Sequence, residues 1–265
     1  MKITRISASL LVLAVAGAGH AQAASSEWHD VEGGAIRIVT SGAPDASGQV
    51  RGALEIRLDR GWKTYWRDPG ESGVPPTVAI LADGNETPVQ IDYPAPKRFD
   101  DGYSIWAGYD KSVSLGLTFT LPDDTEHEQV EADVFLGVCE SICVPVQARL
   151  TLDPNANAHA GDDMTAVASA FAAMPGPARA GFEARAVDMS GDRMRVEAML
   201  PDNVKPLELF VAGTETLVLG TAELDAASRT FSIAVHDRDE AGGDKQLVYT
   251  LITSAGAVSG TLDLP

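Results

Sequence analysis

Ser112-Val113-Ser114-Leu115-Gly116-Leu117-Thr118-Phe119 carries an apolar side chain at every second position. Successive side chains of an extended chain point to opposite faces, so this period describes a strand with one face in a core and the other toward water. The alternation returns at residues 35–39 and 53–58, and further strands read at 77–81, 89–93 and 130–136. Asp68-Pro69-Gly70, Asp83-Gly84-Asn85 and Pro122-Asp123-Asp124 punctuate these stretches as turns. Many short strands joined by Gly/Pro turns predict an all-β sandwich rather than a βαβ fold.

Moving toward the C-terminus, the pattern changes. Residues 154–179 are rich in Ala, Asn and Gly and predict a linker with one short helix at about 164–173. Asp162 or Asp163 is its expected cap, and Pro175-Gly176-Pro177 its stop. Such a segment reads as a domain boundary that few contacts should cross. Alternation then resumes at 182–187, 194–200, 207–211, 231–235, 246–253 and 258–264, which predicts a second, smaller β-sandwich domain over 180–265. It holds no cysteine and a single histidine, His236, and reads as a support or docking module.

Toward the N-terminus, residues 1–23 read as a signal peptide. Lys2 and Arg5 make a short basic start, an apolar stretch covers 6–19, and Ala21-Gln22-Ala23 has the small-x-small pattern of a cleavage site. The expected mature chain begins near Ala24, its first domain spans 24–153, and its expected location is periplasmic. Nothing later has the ~18 uninterrupted apolar residues that a membrane span requires. Of 265 residues, 45% are hydrophobic and 22% charged, which is ordinary globular composition. The 20 basic and 38 acidic side chains give a net charge of −18, and cleavage removes two of the basic ones to leave −20. Nucleic acids and anionic membrane surfaces carry the same sign and are excluded as partners. Two cysteines exclude a disulfide-dense scaffold, a four-cysteine zinc site and a cysteine-ligated iron–sulfur cluster.

Those cysteines lie close together, in Cys139-Glu140-Ser141-Ile142-Cys143. On a straight strand their Cα atoms would stand ~13 Å apart, from a rise of about 3.3 Å per residue. A disulfide needs roughly 4.4–6.8 Å, so a bonded pair demands a tight turn. Residues 135–138 read as the strand running in, and Val144, before Pro145, is biased back to extended backbone. The bond would lie across the mouth of the turn. So small a loop is a weak staple, worth about 2 kcal/mol by chain-entropy arithmetic. It is better suited to being opened by a reductant, although Glu140 and the acidic surface disfavour a thiolate. An inert structural bond and a two-thiolate Cu(I) site remain alternatives at this level.

Three blocks then resemble a known family. Gly61-Trp62-Lys63-Thr64-Tyr65-Trp66-Arg67-Asp68-Pro69-Gly70-Glu71-Ser72-Gly73-Val74-Pro75-Pro76 is the first. Tyr93-Pro94-Ala95-Pro96-Lys97-Arg98-Phe99, leading to Gly102-Tyr103, is the second. The third is Phe135-Leu136-Gly137-Val138-Cys139 through Cys143-Val144-Pro145. Over about residues 28–153 the chain resembles the N-terminal periplasmic domain of the thiol:disulfide interchange protein DsbD, especially its ScsB-type relatives. The resemblance implies an immunoglobulin-like sandwich with one redox-active pair, matched by Cys139 and Cys143. It implies thiol:disulfide interchange, a protein-disulfide reductase type of activity, with no cofactor and no metal. Electrons would come from a membrane-embedded thiol:disulfide transporter and pass to periplasmic thioredoxin-like proteins. The family shields its cysteines with an aromatic cap loop; Tyr103 is the best-placed candidate for that role and Phe99 the second. Better-known members space their cysteines more widely, and DsbD-type proteins add a transmembrane region and a thioredoxin-like domain. Neither is read here, so separate partner proteins are expected. The rival reading is a binding module with a structural bond, or a Cu(I)-binding copper-tolerance protein.

The first block also reads on its own. Alternation puts Trp62 and Trp66 on one face, as core, and Lys63, Tyr65 and Arg67 on the other. Tyr65 is thereby a candidate to line the cysteine site.

Overall fold

The computed structural model describes residues 25–42, 44–70, 73–82, 84–100, 102, 104–121, 130–153, 161–239 and 245–265. The expected leader, most of the expected linker before the helix, and Tyr103 lie outside them.

Two sheets form the first sandwich. In the five-stranded sheet the order is His29–Val31, Gly34–Thr40, Gln49–Leu58, Val113–Thr120, Val89–Asp92. The seven-stranded sheet runs Asn85–Thr87, Thr77–Ala82, Val130–Cys139, Lys63–Tyr65, Ile105–Tyr109, Lys97–Asp100, with Cys143–Leu152 also paired to Val130–Cys139. The alternation decides which side chains meet between the sheets. Leu115, Leu117 and Phe119 of one sheet face Val130, Ala132, Val134, Leu136 and Val138 of the other, all buried in one cluster. At about 25 cal/mol per Å² of apolar surface removed from water, this cluster is the main source of stability for the first half of the chain.

The second sandwich packs two four-stranded sheets. One holds Gly176–Pro177, Gly256–Asp263, Gln246–Thr253 and Pro206–Val211; the other Glu183–Ser190, Arg193–Met199, Thr230–Arg238 and Leu217–Asp225. Met194, Val196, Leu209, Phe231, Ile233, Tyr249, Leu251 and Leu262 fill its core. Among the described residues the molecule is thus all-β apart from one helix, an immunoglobulin-like sandwich followed by a smaller one. Leu217–Asp225 is absent from the sequence-read strands. Gly220 and Thr221 interrupt its apolar alternation, and its pairing with Thr230–Arg238 shifts register at that point.

Between the sandwiches, the helix spans Gly161–Ala172. It starts before the expected residue 164, so Asp162 and Asp163 lie in its first turn rather than ahead of it. There their charge still suits the positive end of the helix, and Ser25 Oγ donates to Asp163 Oδ2 at 3.2 Å. Val167 and Ala170 bury against Val39 and Ala53 on the outer face of the five-stranded sheet. Gly176–Pro177 already pairs, in parallel, with Val258 and Ser259 of the second sandwich. The intervening segment therefore packs on both sandwiches.

Contacts between the sandwiches are few, but one of them is deeply buried. Phe210 of the second sandwich is 2% exposed and belongs to the core cluster of the first, its ring edge-on to Trp66 at 5.8 Å. Phe210 lies on Pro206–Val211, the edge strand of its sheet, and the neighbouring sandwich covers it.

Candidate functional site

The strand Val130–Cys139 buries its even-numbered residues, from Val130 to Val138, between the sheets. Cys139 is therefore turned to the opposite, outer face of the seven-stranded sheet. The chain reverses through Glu140, Ser141 and Ile142, and Cys143 opens the return strand as the pairing partner of Cys139. The two sulfurs are bonded, with Cα atoms 4.1 Å apart. The tight turn between two strands is as expected, and it ends a regular hairpin, ten residues on each side, rather than a bulge.

Parity also selects what covers the bond. Thr64 pairs with Val138 and faces inward, fully buried, its Oγ1 donating to Gly137 O at 2.9 Å. Its neighbours Lys63 and Tyr65 must face outward, beside Cys139. The Tyr65 hydroxyl stands 2.8 Å from Cys139 Sγ and 3.0 Å from Cys143 Sγ. A disulfide sulfur carries no hydrogen, so the hydroxyl is the donor. Trp106 lies on the same face, edge-on to Tyr65 at 5.5 Å, and Phe99 stacks on Trp106 at 4.2 Å. Tyr65, Trp106 and Cys139 form one buried cluster with Phe99 packed against it.

Two glycines make room for the tyrosine. A Cβ on Gly137 would come within 3.1 Å of the Tyr65 ring, and one on Gly73 within 2.8 Å. The ring is clasped between Gly137 of the cysteine hairpin and Gly73, whose neighbour Val74 is tied to the hairpin where Gly137 N donates to Val74 O at 3.2 Å.

The cysteines differ in exposure. Cys139 is 6% exposed under its aromatic cover, whereas Cys143 is exposed on the rim. Beside them Ile142, at the tip of the turn, is 76% exposed. The charge around the bond is mixed: Glu140 is in the turn, and Lys63 holds its ammonium 5.2 Å from the centre of the Trp106 ring.

The site thus brings together Cys139, Cys143, Tyr65 and Phe99 of the sequence-read residues, while Tyr103 lies outside the described residues. Trp62 and Trp66 pack on the core as read. Arg67 departs from its expected face, because the strand ends at Tyr65; its guanidinium instead lies over the core ring of Tyr93 at 4.7 Å. Trp106 was not singled out in the sequence. The run 105–109 carries the signal only once its pairing with Lys97–Asp100 is known, which sets Trp106 opposite Phe99. Among the described residues, no group of three or more His, Cys, Asp or Glu is placed to hold a metal ion. Among them, too, no helix is long and apolar enough to cross a membrane.

Comparison with known proteins follows these features. Residues 38–155 match the family described as thiol:disulfide interchange protein DsbD, N-terminal. The crystal structure of the N-terminal periplasmic domain of ScsB from Proteus mirabilis superposes with a TM-score of 0.71 at 22% identity, covering 92% of this chain and 100% of that one. This likeness of fold therefore runs through both sandwiches. The E. coli chaperone DraB aligns over 87% of this chain and 99% of its own at 11% identity, with a TM-score of only 0.24, which carries no argument. No curated protein sequence matches the chain. The residues that match the DsbD N-terminal family, 38–155, thus include the Cys139–Cys143 disulfide at the end of the long hairpin.

Proposed function

We propose that the protein is a periplasmic thiol:disulfide exchange protein, delivered by a signal peptide cleaved near Ala23. In this reading it relays electrons from a membrane-embedded thiol transporter to thioredoxin-like proteins through Cys139 and Cys143. The observation that carries it is the asymmetry of the bond: one sulfur at the rim, the other buried beneath a hydroxyl that reaches both. An incoming partner thiolate attacks Cys143 Sγ, the Sγ–Sγ bond breaks, and Cys139 leaves as a thiolate. The Tyr65 hydroxyl, already within hydrogen-bond reach, stabilises that leaving charge as it forms. The partner's second thiol, losing its proton, attacks its own sulfur in the mixed disulfide and releases Cys143. Two electrons have then passed to the pair, and the partner has become a disulfide. The reverse sequence, with Cys143 attacking an oxidised acceptor, hands the electrons on. Phe99 and Trp106 limit access to Cys139 between these events.

Accessibility makes Cys143 the attacking and attacked sulfur, so Cys139→Ser should accumulate a mixed disulfide with a thioredoxin-like partner. Cys143→Ser should not. Redox titration of the wild-type pair against glutathione, followed by alkylation and mass measurement, should give a midpoint well above about −300 mV, the region of structural bonds. A midpoint below that, with both thiols protected, would leave only a structural bond.

A further inference from the structure

The strand Lys97–Asp100 is the last in its sheet, paired on one side only, with Ile105–Tyr109. An end strand of four residues has few ladder bonds to hold it, so its position depends on what grips its two faces. One face carries Phe99, stacked on Trp106 beside the disulfide. Arg98, on the opposite face, reaches into the second sandwich. Its Nε donates to Glu208 Oε1 at 2.7 Å, Nη1 to Thr221 Oγ1 at 3.3 Å and Nη2 to Leu209 O at 3.1 Å. Its guanidinium also lies 4.6 Å above the Phe210 ring. The ion pair is partly shielded, with the Arg98 side chain 21% exposed, and it uses a fork of donors that lysine does not possess.

The other segment over the site is held in the same way. Asp68 lies three residues after Tyr65, and its Oδ2 accepts from Gly213 N of the second sandwich at 2.6 Å. Around these two tethers the sandwiches are not closely packed. A cleft of about 380 Å³ lies between them, lined by Asp68, Arg98 and Ile105 from the first and by Leu219, Thr221 and His236 from the second. With open space alongside, neighbouring side chains cannot take over if a tether is cut.

We infer that the second sandwich braces the aromatic cover of the disulfide, and that Arg98 is the positioning residue that transmits the brace through Phe99 and Trp106 to Cys139. This deepens the exchange function proposed above and rests on it for its purpose. The brace itself is a statement about access to a sulfur, whatever that sulfur does. With both tethers made, the cover is held closed over Cys139 while Cys143 stays open, so chemistry is directed to one sulfur.

The test uses the full chain, reduced, well below its unfolding temperature, with site-resolved alkylation of the two thiols by iodoacetamide. Wild-type protein should alkylate at Cys143 with Cys139 protected. Arg98→Ala should raise the Cys139 rate about tenfold and leave the Cys143 rate within twofold; Arg98→Lys should fall between. Glu208→Gln, a milder cut of the same tether, should move the rate in the same direction if Arg98→Ala fails to fold. In a Phe99→Ala background, Arg98→Ala should add nothing further, because its effect passes through Phe99. Unchanged Cys139 rates in folded Arg98 and Glu208 variants would overturn the brace, as would effects of Arg98→Ala and Phe99→Ala that simply multiply. The outcome is separable from the exchange reading: a low midpoint without partner trapping refutes exchange but leaves the alkylation result standing.

Discussion

Each sandwich contains a long antiparallel hairpin with a short reversal, and the two are closed by different means. In the second sandwich Gln246–Thr253 pairs with Gly256–Asp263 up to Thr253 opposite Gly256. Local hydrogen bonds finish that turn: Thr253 Oγ1 donates to Gly256 O at 2.7 Å and accepts from Ala255 N at 3.1 Å. In the first sandwich the closing pair is Cys139 opposite Cys143, and the turn itself has only a long backbone bond, Glu140 N to Ile142 O at 3.4 Å. Hairpins of this length and burial evidently close without covalent help. If the first hairpin closes as the second does, its disulfide is spare as architecture, which the proposed exchange function requires.

The comparison is broken most severely through the cores. Leu136 and Leu251, one in each hairpin, are both fully buried. Each Leu→Ala change should cost about 2–5 kcal/mol in denaturant unfolding. If Leu136→Ala were nearly silent, the bond rather than the packing would be holding the first hairpin. The Cys139→Ala, Cys143→Ala double variant tests the same point directly and should lose at most about 2 kcal/mol, the entropy of so small a loop. A loss exceeding that of Leu136→Ala would restore the bond as a staple.

Alkaline pH acts more gently and on both sandwiches, since burial also raises the Tyr249 hydroxyl of the second. Burial pushes the Tyr93 hydroxyl up to about 12, with Arg67 pulling weakly the other way. Burial, with Tyr93 close by, raises that of Tyr109 further. A hydroxyl held above its ordinary value of 10.0 contributes stability that is complete below pH 10 and is lost as pH climbs toward 12. Tyr93 alone should remove on the order of 1 kcal/mol at pH 11. Melting temperature followed from pH 8 to 11 should therefore fall, and Tyr93→Phe should flatten the decline. Smallest of all is the exposed pair on the brace strand, Lys97 Nζ to Asp110 Oδ1 at 2.9 Å. The lysine holds Asp110 below the usual carboxylate range, so its contribution is present above that range and disappears on acidification. Asp110→Asn should change stability at neutral pH by less than about 0.5 kcal/mol.

Much of this was legible in the chain. The alternation around Leu115 and Leu117, and again at residues 246–253, marks strands because burial on one face imposes that period locally. The spacing of Cys139 and Cys143 demands a reversal once the two are taken as bonded. Parity within 62–66 also placed Tyr65 off the core face. What the sequence did not disclose is which cysteine is covered. That depends on Trp106 and Phe99, brought over Cys139 by strands distant in sequence, and no local period encodes which strands become neighbours. The contacts of Arg98 with the second sandwich were hidden for the same reason, since Glu208 and Thr221 lie more than a hundred residues away.

The exposed Ile142 sets a ceiling on grip. Burying such a side chain against another surface is worth about 2 kcal/mol, or roughly thirtyfold in affinity. One apolar tip beside the rim sulfur can orient an encounter and lengthen it, yet it adds too little to make the complex permanent. In a molecule whose proposed task is to accept electrons from one protein and surrender them to another, release matters as much as capture, and a single isoleucine supplies attachment on a scale that a turnover can undo.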